Sequence, residues 1–399
     1  MKLKNLIDIK LYYLIIMSSN LWLTTGNWIF FWLKQMDIMQ LGILNSITFG
    51  ISLLCEIPSG IIADIFGTKI TIIISRILAF CGILTMACAT NMWVLFIGDT
   101  LFWIGNSFYS GAAEAHVYQS LAKHNLTEHY EAILTKGTSL MLLFTIIGSI
   151  IGSFLYIVND KLPWLIFALS LFISIGASLM LSETKKIIID KSVIRLKDFW
   201  QTFQTGSKEL LNAKLRIFFW SFFALSSILF FFDEGFLKPY YSIKFGFDAF
   251  DTGIIFALIN IVNILLLNLI AKLAFNLKSI WKVVILEVGL LLAFALANFG
   301  GGLIFGGIII ASINLINMLS KTWITNIISH NSSDQYKATT ISTLAMLSKL
   351  PYSILALFAA LLLSKDLIWL INLAICIFLV ASLIQLIYRH RNESSKNNI

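Results

Sequence analysis

Asp99, Trp103, Asn106, Ser110 and Glu114 recur at steps of three to four residues inside an otherwise apolar run. On a helix they form one polar stripe. Such a stripe can hydrogen-bond a polar solute, and its carboxylates can take up and release protons. Further stripes are Tyr13, Asn20, Thr24 and Asn27 near the start, and Asn314, Asn317 and Lys321 in the second half. Asp233 and Glu234 close an aromatic run that begins at Phe218. Lys349, beside Pro351 and Tyr352, either attracts an anionic substrate or pairs with a carboxylate. Polar side chains of this kind should face a wet interior or other helices, and the candidates to line a cavity are Asn20, Thr24, Asn27, Trp103, Asn106, Asp233, Glu234, Asn314, Asn317 and Lys349. Asp99 is the candidate for coupling to protons, because a charge about 10 Å into an apolar layer is costly to keep. The other reading of Asp99 is a structural hydrogen bond to a neighbouring helix.

The elements that carry these stripes follow from composition. The chain has 399 residues, 58% of them hydrophobic and only 13% charged, against about a quarter charged in an ordinary soluble domain. Its mean hydropathy is +0.86. The charges cluster between apolar blocks of about 20 residues, the length that crosses a bilayer as a helix. The reading is an all-α polytopic membrane protein. Its apolar start is expected to remain attached as a first span rather than be cleaved. Cys55, Cys81, Cys88 and Cys376 all lie in apolar blocks and read as packing residues.

About twelve transmembrane helices are expected. They fall near 11–32, 39–62, 70–90, 93–113, 133–157, 162–182, 213–233, 250–271, 280–298, 300–320, 338–362 and 366–388. With both termini in the cytoplasm, Lys and Arg on the inner side outnumber those outside by about four to one, as the positive-inside rule requires. The predicted domains are an N-terminal six-helix bundle at 1–182, a cytoplasmic linker at 183–212, a C-terminal six-helix bundle at 213–388 and a cytoplasmic tail at 389–399. Val193, Leu196, Trp200, Phe203 and Leu210 recur at helical spacing in the linker, which reads as an amphipathic helix on the inner leaflet or as a flexible charged connection. Span five opens LTKGTSLML and span eleven QYKATTISTL, each after a connection on the inner side, so the halves echo each other. Two pseudo-symmetric six-helix bundles are the pattern of transporters that rock about a central site.

Residues 56–69, EIPSGIIADIFGTK, set Glu56, Asp64 and Lys69 around Gly60 and Gly67. Gly60 and Gly67 are expected to let the chain leave span two and turn tightly into span three. Asp64 can accept hydrogen bonds from the exposed amides of a neighbouring helix start. The run Gly60 to Lys69 resembles the loop signature between spans two and three of the major facilitator superfamily. Glu56-Ile-Pro58-Ser-Gly60 and Ser110-Gly-Ala-Ala-Glu114 resemble a bacterial, drug-exporter-like branch of it. The resemblance implies that spans one, four, seven and ten line a cavity, that Asp64 caps the end of span eleven near Ala338 to Ser342, and that Glu56, Gly60, Asp64, Gly67, Lys69 and Glu114 form the conformational loop and gate. Some motifs depart from the family. Ile65 and Thr68 stand where basic residues are common, no arginine lies in span four, and Gly148-Ser-Ile-Ile-Gly152 lacks the proline of proton antiporters.

The functional expectation is secondary active transport by alternating access: proton-coupled efflux of a small amphipathic or drug-like molecule, with import of a nutrient or metabolite as the alternative. A channel or a non-transporting sensor is the reading from another class. Scattered single charges supply no converging acid–base set for an enzyme. His116, His124 and His129 fit no compact zinc spacing, so neither metal nor cofactor is expected. The net charge of +8 is placed to suit a lipid surface rather than nucleic acid. The expected partners are the substrate, protons and lipids, and the chain is expected to act as a monomer in a bacterial inner membrane. Arg76 and Glu287 lie equally far into the third span of each half and read as snorkelling or locally paired side chains.

Overall fold

In hydrocarbon only a helix pairs every backbone N–H and C=O within one segment. A computed structural model describes residues 7–182, 204–212, 214–273, 277–332 and 337–396, with side chains except at 56–66, 110–111, 268, 271–273, 337–338 and 392–396. Among the described residues every regular element is helical. The first half contains α1 (Ile7–Ser19), α2 (Trp28–Trp32), α3 (Ile38–Phe66), α4 (Thr68–Ala87), α5 (Met92–Lys123), α6 (Tyr130–Val158) and α7 (Leu162–Leu179). The second contains α8 (Phe219–Asp233), α9 (Leu237–Lys244), α10 (Ala249–Leu273), α11 (Ser279–Leu296), α12 (Gly302–Asn331), α13 (Lys337–Leu363) and α14 (Ile368–Lys396). Nine of the described helices are long and apolar enough to cross a membrane, or ten if α8 and α9, bent by 58°, count as one span. The predicted spans outside that set are the first, which is broken into α1 and α2, and the fourth, α5, whose polar stripe dilutes its apolar character.

Several boundaries differ from the hydropathy reading. α3 continues as helix through Gly60 to Phe66, so Gly60 is a helix residue and not a turn. The turn is made by Gly67 alone, at φ +90, a conformation that only glycine adopts without strain. α5, α12 and α14 also outrun their predicted spans. An apolar window marks the lipid-crossing part, whereas backbone hydrogen bonding carries a helix on into polar sequence. His116, beyond the predicted end of span four at 113, is therefore a buried residue of α5, its Nδ1 3.0 Å from the Thr68 hydroxyl. Residues 183–203 of the predicted linker lie outside the described residues; 204–210 is helical.

The chain divides into two compact units. The first comprises the described residues of 7–37, 47–182 and 248–257. In it α4 packs on α5 and α7, and α1 packs on α6 and α7. Glycines on α6 permit a close approach to the broken first span: a Cβ at Gly152 would stand 1.8 Å from the Leu23 carbonyl oxygen, and one at Gly148 2.8 Å from the Trp22 nitrogen. Gly152→Ala should therefore destabilise the protein by about 3 kcal/mol, since backbone rather than a mobile side chain must give way. Thermal unfolding in detergent measures this, and an unchanged Tm would mean that α6 shifts freely.

At the start of α1, outside the predicted span, Asp8 accepts hydrogen bonds from the Ser182 N–H at 2.8 Å and the Ser120 hydroxyl at 3.0 Å. Burial pushes its carboxyl pKa up, but these donors and nearby His116 outweigh it and hold the net value below the usual aspartate range. A depressed folded pKa contributes stability that is present above the unfolded value and lost as pH falls through the folded one. Asp8→Asn is thus expected to cost about 1 kcal/mol at neutral pH. The gap from the unaltered protein should close below about pH 4. A gap that stays constant across an unfolding series from pH 3 to 7 would contradict this.

The second unit comprises the described residues of 38–46, 204–247 and 258–396. α8 packs on α13 and α14, and α11 on α12 and α14. The Tyr241 hydroxyl of α9 donates to Asn372 of α14, whose amide donates to Asn298 at 2.7 Å. These bonds hold the bent α9 segment in place.

Candidate functional site

In the first unit the break in the first span opens a cavity of about 270 Å³, walled by Tyr12, Asn20, Arg76, Asn106, Tyr109 and Glu114 among others. The break has a local cause. Ser19 and Asn20 donate their side chains to the carbonyls of Ile15 at 2.6 Å and Ile16 at 2.9 Å, in competition with the backbone ladder. Asn27 pins the irregular stretch to α6 by donating to the Leu23 and Gly152 carbonyls at 3.0 and 3.3 Å. Asn27 thus ties the first span to α6, and neither it nor buried Thr24 is in the wall of this cavity.

Arg76 enters the wall from α4 and is 1% exposed. Its guanidinium lies 4.0 Å from the centre of the Tyr109 ring, with Nη2 donating to Asn106 Oδ1 at 3.3 Å and Nε to the Ser75 hydroxyl at 3.2 Å. It neither snorkels nor pairs with a carboxylate among the described residues. The signal that could have found it is a glycine series on α5. Gly98 meets Gly82, and Gly105 meets Ser75, so α4 turns this face toward α5 instead of lipid. Asp99 and Trp103 are elsewhere in the unit. Asp99 is buried beside Thr48 and Trp103, and Trp103 packs on Phe49 with ring centres 4.8 Å apart.

The second unit has a cavity of about 290 Å³ at the α8–α9 bend. It gathers Asp233, Glu234, Asn317, Lys321, Ser348 and Lys349. Asp233 Oδ1 is 3.0 Å from Lys238 Nζ; Oδ2 accepts from Asn317 Nδ2 at 2.8 Å and is 3.8 Å from Lys321 Nζ. Three sequence-predicted polar features, on spans seven, ten and eleven, thus meet at one bend. Asn314 is not in this wall and donates instead to Asn260 at 3.0 Å. Glu287, 0% exposed on α11, accepts from the Ser382 hydroxyl of α14. The side chains of Glu56 and Asp64, and the surroundings of Gly60, lie outside the described residues, while Lys69 is in the first turn of α4, which begins at Thr68 just after Gly67.

A sequence profile of the Major Facilitator Superfamily matches residues 13–356. The chain belongs to that superfamily. It is a multi-pass membrane protein of a transporter family. Among individual superfamily proteins it is similar to the uncharacterized MFS-type transporter YxaM of Bacillus subtilis (strain 168), 29% identical over 136 residues. That match spans 33% of this chain and 32% of YxaM, about a third of the relative's length. The crystal structure of the nucleoside transporter NupG is similar over 97% of this chain and 98% of its own, with a TM-score of 0.72 and 17% identity. The POT family transporter PepTSo is similar over 99% of both chains, with a TM-score of 0.69 and 11% identity. At these identities the structural likeness shows the superfamily fold alone. In superfamily terms the cavity walls include the expected spans one, four, seven and ten, and add three, five and eleven.

Proposed function

We propose that the protein is a monomeric, proton-coupled secondary transporter of a bacterial inner membrane, with both termini in the cytoplasm, that exports a small amphipathic or drug-like molecule. The observation that carries this reading is the pair of polar cavities beside the broken first span of each half. Discontinuous spans that expose polar groups at membrane depth are how transporters build a substrate seat. The aromatic residues in each cavity wall (Tyr12, Trp22 and Tyr109 in the first unit, Phe230 in the second) suit a partly apolar molecule. Asp99 is the proposed proton carrier, and residues 56–69 with Glu114 are the proposed loop and gate.

Import of a nutrient is the second reading, favoured by the solved proteins of like fold, a nucleoside transporter and a peptide-transporter relative. A strain lacking the protein, screened against antimicrobials and nutrients, separates the two. Gained sensitivity supports export; lost growth on one compound supports import. Proteoliposomes with an imposed pH gradient then test coupling. Accumulation against a concentration gradient is expected, and flow only down the gradient would replace the transporter reading by a channel.

A further inference from the structure

We infer that the cavity of the first unit seats a carboxylate borne by the transported molecule, gripped by the Arg76 guanidinium with Asn106 and Tyr109 beside it. The inference rests on the transporter reading and names the class of substrate. Burying a guanidinium is expensive unless acceptors surround it. Arginine has five N–H donors. The Ser75 hydroxyl and Asn106 Oδ1 are its hydrogen-bond acceptors among the described residues, and Tyr109 offers a ring face. No carboxylate among them comes within ion-pair distance. The Tyr109 hydroxyl next to it is buried and has no partner among the described residues. A fixed fork and a spare phenol in the wall of a cavity match a planar two-oxygen anion.

The rest of the wall defines the body of such a molecule. Tyr12, Ile16, Trp22 and Met141 are largely apolar surfaces, fitted to an aromatic or aliphatic group. Glu114 lines the same cavity, two helical turns beyond Asn106, or about 12 Å along α5. It offers an acceptor for a donor group carried elsewhere on the same molecule.

Phenylacetate and its neutral isostere phenylacetamide are suitable probes, titrated into the purified full-length protein in detergent at constant ionic strength. Phenylacetate should raise Tm saturably and phenylacetamide should not. Arg76→Lys keeps the charge but loses the fork, and should weaken phenylacetate binding at least tenfold. Tyr109→Phe removes only the phenol and should weaken it about threefold to tenfold. Equal stabilisation by acid and amide overturns the inference, as does wild-type titration by Tyr109→Phe together with Arg76→Lys. If Arg76→Lys fails to fold, Tyr109→Phe decides. Labelled phenylacetate in proteoliposomes keeps the two readings apart. Binding without transmembrane movement sinks the transporter reading and keeps the seat; movement that Arg76→Lys and Tyr109→Phe leave unaltered sinks the seat and keeps the transporter.

Discussion

Asp233→Ala is expected to abolish transport and lower stability by about 3 kcal/mol. Asp233 is the carboxylate at the α8–α9 bend that lies 3.0, 2.8 and 3.8 Å from Lys238, Asn317 and Lys321. The Lys238 side chain is only 10% exposed, so the variant takes a carboxylate at 3.0 Å away from a mostly desolvated ammonium. Lys321 is 69% exposed and contributes little, because water screens it. Removing one partner of a buried pair costs more than removing both. Adding Lys238→Met to Asp233→Ala should therefore recover part of the lost Tm. Asp233→Asn separates geometry from charge: its amide oxygen can still accept from Asn317, so the bend should survive better than in the alanine variant. Thermal unfolding of the unaltered protein, Asp233→Ala, Lys238→Met and the combined variant forms a double-mutant cycle. Strictly additive losses would mean that the pair does not organise the bend.

The second large effect is expected at Asp99. Asp99→Asn should cut pH-gradient-driven accumulation in proteoliposomes by about tenfold to a hundredfold, while exchange of substrate across the membrane without a gradient persists. The carboxylate is 6% exposed and has the Thr48 and Trp103 side chains beside it, with no cation in ion-pair contact among the described residues. Carrying charge there is costly, and carrying a proton is the simplest relief. An amide has nearly the same shape and can keep the Thr48 and Trp103 contacts, so the variant should fold with a Tm at or above that of the unaltered protein. A stable variant whose accumulation still follows the pH gradient removes Asp99 from coupling. Glu114 in the first cavity and buried Glu287 would then be the acids to test.

The polar stripes were legible because a 3.6-residue period shows which side chains share a face. Spans one, four, seven and ten do contribute to cavity walls. The period does not say what that face meets. Asn27 and Asn314 lie on predicted stripes, yet they tie helix to backbone and helix to helix. Arg76 reads from sequence as a snorkelling or locally paired side chain, and it is a cavity residue because small residues on α4 and α5 bring the two helices together.

Local sequence alone therefore determined membrane crossing, helical structure, the glycine turn at Gly67 and superfamily likeness, since each depends on residues within a turn or a span of one another. Which polar groups meet depended on contacts such as Asn27 with Gly152, 125 residues apart, and Asp233 with Asn317, 84 apart. Close packing chooses those partners by shape and hydrogen-bond geometry at once, and only the folded chain brings both to bear.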